Sequence, residues 1–451
     1  MALAWLTSRW VTQSNCKLPV YSFTIDHKAR VESASEAQTV AKWLHQMFAG
    51  YDQFKHRVLE VDWGCNEITT NRFELEARNA RRLLLLQACR SLGVSHLLTG
   101  HTLDDQLETF TMRLLSGSSP SGLAGMNSVT SADMYPAPDQ DPVFLVKPLL
   151  EYSKKELVNI CNENNVPWVQ DPTNLDPTFT IRNSIRAVLQ DENNLPNVFR
   201  SHNIVTLMNS LRSKKRLDED EVQKLVSALE LQGLLKIDPA LGTARLDHYN
   251  GFEDLDLRMK ALVFRHILQQ IAPINDIYYR NSTLEKLASR VALVKATSRR
   301  VTLDYMHTRI DVSPSNAGFA FQTCEFYRQR PFCHEDVHLH IQCSMSWSTW
   351  KLFDNRFWIR VRLKNSSDLA TNTVLCKLLF KPALGKKLMT DVLKTKTKWP
   401  PAKVLYGQPF LYIQDSELIK DSTIIGFPTL GVVNPQSPVE VEYKLKRVVT
   451  D

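Results

Sequence analysis

The sequence predicts an α/β fold: a doubly wound parallel sheet at the N-terminus, then a helical middle region and a smaller α+β domain at the C-terminus. Three observations carry this. Over the first 125 residues short apolar runs alternate with amphipathic stretches in the order strand–helix–strand–helix–strand. From about residue 195 to 310 the chain is rich in Leu, Arg and Lys with helical periodicity. From about residue 337 strand-like alternation rises.

Taken in order, "MALAWLTSRW" reads as a helix beginning at residue 1, and "LPVYSFTID" as a buried strand ending at Asp26. "SASEAQTVAKWLHQMF" is a helix with Ser33 and Glu36 at capping-box spacing and Val40, Trp43, Leu44 and Met47 on one face. "RVLEVDW" is a second strand, "FELEARNARRLLLLQACRSLG" a long helix and "VSHLLTGHT" a third strand. Ligands of such sheets gather where strands end and helices begin, which places Asp26, Gly100 and His101 at the expected site. Asn127 to Pro142 is a Ser/Pro/Asp-rich loop, followed by helices "SKKELVNICNENN" and "TIRNSIRAVL" around the turn "PWVQDPTN". "KLFDNRFWIRVRLK" reads as a hairpin turning at Asp354-Asn355.

With 451 residues the chain is long enough for two or three domains. We place them at 1–190, 191–330 and 331–451. No run of 18 apolar residues occurs, which excludes an apolar membrane-spanning helix, and no membrane partner is expected. A net charge of +7 leans toward a polyanionic partner. The eight cysteines are scattered without CxxC or metal-ligand spacing, as for reduced thiols in an intracellular compartment.

"GHTLDDQLETFTMRLL" is the most informative stretch. Read as a helix, Leu103, Leu107, Phe110 and Leu114 form a core-facing stripe. His101, Asp105 and Glu108 repeat that spacing two residues out of phase, about 200° around the helix. An imidazole and two carboxylates on one face can hold Mg²⁺, an ammonium group or a proton, or can form a solvated acidic face. In "ELEARNAR", Glu74, Arg78 and Arg81 share a face; paired arginines suit phosphate or carboxylate, or a surface salt bridge. Between Lys377 and Lys403 lie eight lysines and one acidic residue, Asp391, with Trp399 inside the run and Arg360 and Arg362 on one face of the nearby strand. That region reads as a nucleic-acid-binding surface, with a solvated basic face as its alternative. "RSKKR" at 212–216 is a weaker cluster of the same kind.

"FTIDHKARVES", "FELEARNARR", "GHTLDDQLETFTMRLLSGSSPSGLAGM", "VKPLLEYSKKEL" and "DPTNLDPTFTIRNSIR" occur in that order. Together they resemble the tRNA(Ile)-lysidine synthetase family of the PP-loop ATP pyrophosphatase superfamily, closely over about residues 1 to 190. Lys147 departs from the arginine that bacterial members usually carry before "PLL". In that family a buried strand and the phosphate-binding signature Ser-Gly-Gly-x-Asp-Ser precede the segment matching "MALAWL". The expectation is therefore a chain started at an internal methionine and inactive as written for lack of that loop.

The resemblance implies ATP-dependent ligation of L-lysine to C2 of the wobble cytidine of a CAU-anticodon tRNA-Ile, through an adenylated cytidine, with ATP and Mg²⁺ required. It implies Asp105 and Glu108 at lysine's cationic group, Asp105 alternatively at Mg²⁺, and His101 at the nucleotide or cytidine. It implies Asp26, His27, Arg30, Arg78, Arg81 and Gly100 at ATP. Arg182, Asn183 and Arg186 are implied at the tRNA substrate, joined by Lys386, Lys387, Lys394, Lys396 and Lys398 of the basic run. Asp171 and Asn174 read as turn and capping residues. The compartment implied is a mitochondrial matrix or a bacterial-type cytoplasm. Three rivals stand beside this. A PP-loop tRNA 2-thiolation enzyme typically carries paired cysteines, which are missing here. An amidotransferase-like ligase leaves "RNSIR" and the basic C-terminal region unexplained. A non-catalytic tRNA-binding relic is opposed by intact His101, Asp105 and Glu108.

Overall fold

A computed structural model describes residues 1–15, 17–28, 33–63, 73–133, 135–169, 180–190, 194–273, 281–296, 299–315, 319–329, 338–365, 373–378, 401–405, 407–413 and 424–446. These fall into two compact units, principally Met1–Pro136 with Gln140–Ser213, and Lys214–Arg447.

In the N-terminal unit helix α1 (Ala2–Gln13) precedes strand β1 (Val20–Asp26), helix α2 (Ser33–Met47) and strand β2 (Phe54–Glu60). β1 and β2 run parallel from Val20↔Phe54 to Asp26↔Glu60, as a strand–helix–strand unit requires. α2 packs on both strands, with Ala37 and Leu44 buried beneath it. Helix α3 (Phe73–Ser91) leads to β3 (His96–Leu98), helix α4 (Leu103–Leu115), β4 (Val129–Ser131) and β5 (Phe144–Val146). β3 pairs parallel with β5, which pairs antiparallel with β4. The predicted parallel pairs are thus present. Among the described residues, however, they form two sheets, β1-β2 and β3-β5-β4, with no ladder joining them. Apolar alternation identifies strands but not their neighbours, which backbone register decides. Helices α5 (Lys154–Glu163) and α6 (Ile181–Gln190) complete the unit with the first half of α7 (Ser201–Leu231). Ala2, Leu149, Leu157, Cys161 and Val166 form a core under α1 and α5, and Leu107, Phe110, Ile204 and Met208 form another under α4. The expected α4 stripe stops at Phe110, and Leu114 is exposed.

The C-terminal unit holds the helices expected in the middle region, α7, α8 (Leu257–Ile271) and α9 (Asn281–Ala292). A five-stranded antiparallel sheet joins them, made of β6 (Leu235–Asp238), β7 (Thr243–Asp247), β8 (Val301–Tyr305), β9 (Thr308–Ser313) and β10 (Thr323–Arg328) in the order β6-β7-β10-β9-β8. These strands are four to six residues long, too short to outweigh the helical periodicity around them in a sequence window. Their apolar faces close on α8, where Phe264, Ile267 and Leu268 are wholly buried.

Beyond them, β11 (His338–Gln342), β12 (Lys351–Phe353), β13 (Phe357–Leu363), β14 (Thr373–Leu378), β15 (Pro409–Ile413), β16 (Ile424–Phe427), β17 (Val432–Val433) and β18 (Val439–Leu445) form two sheets. Their orders are β11-β14-β15-β16-β17 and β12-β13-β18, sharing one core. The predicted hairpin is β12–β13, with Asp354 and Asn355 both at positive φ, where asparagine and aspartate are tolerated best. Cys89, Cys161, Cys324, Cys343 and Cys376 are free thiols; Cys16, Cys65 and Cys333 lie outside the described residues. No described helix is long and apolar enough to cross a membrane.

Candidate active site

The C-terminal ends of β1 and β3 carry the residues that the sequence placed at a site. At β1, the Asp26 carboxylate accepts the Lys28 N–H at 2.8 Å and the Ser33 hydroxyl at 2.7 Å. Those bonds hold its pKa below the usual carboxylate range, and they tie the strand end to the start of α2. Asp26 is buried, so in this structure it braces the turn. His27 stands beside it with Nδ1 buried and without a hydrogen-bond partner among the described residues, its pKa lowered by desolvation and by Arg81. Arg30 lies outside the described residues.

After β3, the Thr99 N–H bonds the Val146 carbonyl, and Gly100 and His101 follow in open chain. α4 begins only at Leu103, so His101 is not on the helix and does not share a helical face with Asp105 and Glu108. Thr102 caps the helix in an extended conformation, which takes His101 out of the periodic pattern. Folding still holds His101 within electrostatic range of Asp105. The His101 Nδ1 lies 2.9 Å from the Thr99 hydroxyl. Desolvation, outweighing Asp105 and aided by Lys147, Arg182 and Arg78, lowers its pKa below 6.5, leaving a neutral imidazole at pH 7.

Asp105 and Glu108 do meet on one face of α4, but they face α6. Arg182 donates from Nε to Glu108 Oε2 at 2.5 Å and from Nη2 to Asp105 Oδ1 at 2.9 Å. Arg186 donates from Nε to Glu108 Oε1 at 2.6 Å. Glu108 is 1% exposed, so a solvated acidic face is ruled out for it. The other Asp105 oxygen accepts the Thr102 N–H at 2.9 Å and its hydroxyl at 3.1 Å. Two carboxylates are thereby matched by two guanidiniums, the arrangement that a buried charge requires. The i,i+3 spacing of one helix meets the i,i+4 spacing of the other, so the periodicity of both segments was legible while their partnership was not. Asn183, on the same helix, is buried, and its N–H donates to the Thr180 hydroxyl at 3.1 Å.

Three further residues position this site, of which the sequence singled out only Lys147, as a departure from arginine. Gln106 is 4% exposed and both donates to and accepts from the Met126 backbone, fixing the "GLAGM" loop where Gly125 takes φ +80°. Asp104 accepts the Lys154 N–H at 2.6 Å at the start of α5, beside the Ser153–Glu156 capping box. Lys147 is buried, with Nζ donating to the Asn127 carbonyl at 3.2 Å and the Thr130 hydroxyl at 3.0 Å, which suits a lysine's single point charge.

A pocket of about 340 Å³ opens beside these groups, its lining including Gly100, Thr102, Asp104, Asp105, Glu108 and Arg186. Arg78 and Arg81 are exposed and make no ion pair among the described residues. Desolvation, then Arg78 and Arg182, lower the Arg81 pKa. A Cβ at Gly100 would meet nothing within 4 Å. Unpaired guanidiniums, the unpartnered His27 nitrogen and the open space at Gly100 fit the polyanion of a nucleotide. The fit to a protein-held Mg²⁺ is poor. Both Asp105 oxygens are engaged, and no group of three or more His, Cys, Asp or Glu side chains among the described residues is placed to hold a metal.

Lys386, Lys387, Lys394, Lys396 and Lys398 lie outside the described residues, as do Trp399, Asp171 and Asn174. Arg360 and Arg362 do share a face, but each pairs with a β18 carboxylate, Glu442 at 2.7 Å and Glu440 at 2.6 Å, while stacking on Trp347.

Comparison with known proteins gives this geometry a context. Residues 1–193 match the model of the PP-loop domain. A tRNA(Ile)-lysidine synthase of Bradyrhizobium diazoefficiens is 36% identical over 189 residues, which is 42% of this chain and 48% of that protein. One of Methylobacterium nodulans is 40% identical over 172 residues, 38% of this chain and 46% of that protein. Against these bacterial relatives the match thus spans about half their length. A probable tRNA(Ile)-lysidine synthase of Schizosaccharomyces pombe is 25% identical over 446 residues, 96% of this chain and 89% of that protein. Among solved structures, the U34-tRNA thiolase NcsA from Methanococcus maripaludis overlaps at TM-score 0.36 and 12% identity, over 47% of this chain and 69% of that one, too loosely to carry an argument. With a PP-loop domain over residues 1–193 and one relative, at 25% identity, aligned along nearly its whole length, the chain is similar to the tRNA(Ile)-lysidine synthases.

Proposed function

We propose that the protein joins L-lysine to C2 of the wobble cytidine of a CAU-anticodon tRNA-Ile at the expense of ATP. The observation that carries this reading is the pocket at the β3 end, where Asp104, Asp105 and Glu108 line the wall with Gly100, Lys154 and Arg186. An acidic pocket suits the ammonium of a lysine substrate, and the unpaired Arg78 and Arg81 suit ATP phosphates. Attack of the C2 carbonyl oxygen on the α-phosphate of ATP releases pyrophosphate and turns that oxygen into a leaving group, and the neutral ε-amine then displaces AMP. In this reading a lysine cation competes with Arg186 for Glu108. His101, neutral at pH 7, takes the proton that the attacking amine releases. Arg182 holds the Glu108 carboxylate aligned through its Nε. The lysine-rich sequence at 377–403 supplies positive charge for the tRNA backbone.

The test is transfer of labelled lysine into an unmodified CAU-anticodon tRNA-Ile with ATP and Mg²⁺. It should be run on this chain and on the product of the entire reading frame that encodes it. Label in RNA with either protein supports the assignment. Folded protein that binds tRNA yet transfers no label in both forms favours the binding relic instead.

A further inference from the structure

A second pocket, of about 440 Å³, lies wholly within the C-terminal unit, where the β7–β10 ladder ends at the Asp247↔Thr323 pair. Arg245, Asp247, His248, Phe319, Gln322 and Thr323 line it. His248 is the unusual member. Its side chain is only 10% exposed, both ring nitrogens lack a hydrogen-bond partner among the described residues, and a carboxylate oxygen of Glu253 is 3.9 Å from Nε2. A buried polar group without a partner costs free energy, so its retention calls for a compensating role.

The ring is held as a platform. It stacks on Phe319 at a centroid distance of 4.0 Å and an interplanar angle of 19°, and Phe321 meets its edge at 85°. The segment bearing Phe319 is pinned by Glu253, which accepts the Ala320 N–H at 2.8 Å, and the His248 N–H donates to the Gln322 carbonyl at 3.0 Å. Phe319 is 37% exposed, a large apolar ring presented to solvent from a fixed stack. Beside it Arg245 donates to Asp247 at 2.8 Å, and the two side chains are 52% and 27% exposed, leaving a donor set and an acceptor set within reach of a ligand. An exposed aromatic face flanked by a guanidinium and a carboxylate is the chemistry that receives a splayed-out base with its phosphate. The volume lies in the range of small-ligand pockets, and the positive net charge of the chain favours a polyanion.

We propose that this pocket takes up one unpaired nucleotide of the RNA substrate, its base stacked on Phe319, its polar edge read by Asp247 and its phosphate met by Arg245. This rests on the tRNA reading above. The test is equilibrium binding of a labelled CAU-anticodon tRNA-Ile transcript, and separately of free CMP and AMP, to the full chain and its Phe319→Ala and Phe319→Tyr variants. Loss of one base stack should weaken tRNA binding by about fivefold to a hundredfold in F319A. F319Y, which keeps the ring, should bind like the parent. Zero-length ultraviolet crosslinking of the parent protein, which needs no variant, should map RNA to peptides holding residues 245–248 or 319–323. Unchanged tRNA affinity in F319A, or crosslinks confined to other peptides, overturns the proposal. Free nucleotides that bind through Phe319 while tRNA affinity is unchanged overturn the RNA assignment in favour of a mononucleotide. Failure of the parent protein to bind any tRNA sinks the functional reading itself, a separate result.

Discussion

Two clusters in this protein use the same chemistry, arginines on a carboxylate, in opposite surroundings. In the N-terminal unit Arg182 and Arg186 clasp Glu108, and their side chains remain 29% and 23% exposed, Arg186 at the wall of a pocket. In the C-terminal unit Arg328 and Arg356 clasp Asp354 at the tip of the β12–β13 hairpin, and all three side chains are 3–4% exposed. Desolvation lowers the Arg356 pKa, and its Nη1 has no hydrogen-bond partner among the described residues. The first cluster can exchange a protein cation for a ligand cation because water and solutes reach it. The second can exchange nothing, since any rearrangement would strand a charge away from water. Partial exposure, more than the residue types, separates a binding device from a structural clasp.

The largest effect should follow from Asp354→Ala. It leaves two buried guanidiniums without a counter-charge, and should cost about 3–5 kcal/mol of stability, read by denaturant unfolding. Glu108→Gln should cost less, about 1–3 kcal/mol, because the arginines it releases reach solvent. Lysine transfer by that variant should nonetheless fall at least about a hundredfold. Equal destabilisation by the two substitutions would break the contrast between clasp and binding device.

Acid should sharpen the comparison. His27, His56 and His101 in the N-terminal unit and His266 in the C-terminal unit all have pKa values lowered, chiefly by burial. The unfolded chain takes up these protons near pH 6.5, before the folded one does. Stability is therefore undiminished above about pH 6.5 and declines as pH falls below it. With three such imidazoles against one, the N-terminal unit should lose more between pH 7 and 5, which hydrogen exchange resolved by peptide can measure. His101→Gln should flatten part of that slope. The smallest effect belongs to Glu440→Gln at the surface pair with Arg362, whose side chains are 44% and 40% exposed. Its cost should stay below about 1 kcal/mol and fade in high salt, as a thermal melt at two ionic strengths would show.

How much could be read beforehand differs between regions for the same reason. α3, α5 and α6 were legible because each carries helical periodicity over ten or more residues. The hairpin at Asp354-Asn355 was legible because its turn chemistry is local. The middle sheet was not, since "LKID", "TARLD" and "VTLDY" are too short to outweigh the helices around them, and they become strands by packing against α8. His101 fitted a helical spacing that the Thr102 cap ends.

By itself the sequence determined the order of elements in the N-terminal unit, the cluster of charged residues at strand ends, and, through five linked motifs, the resemblance to a family. Those depend on local periodicity and on residue identity. Only the tertiary structure decided that Arg182 and Arg186 belong to Glu108, that Gln106 and Lys147 are buried supports, and that His248 sits unpartnered under Phe319. The sequence separations involved, 74 and 78 residues for the two arginine bonds, are closed by packing α6 on α4. Whether a charge is buried, shared or open to a ligand follows from what that packing leaves exposed to water.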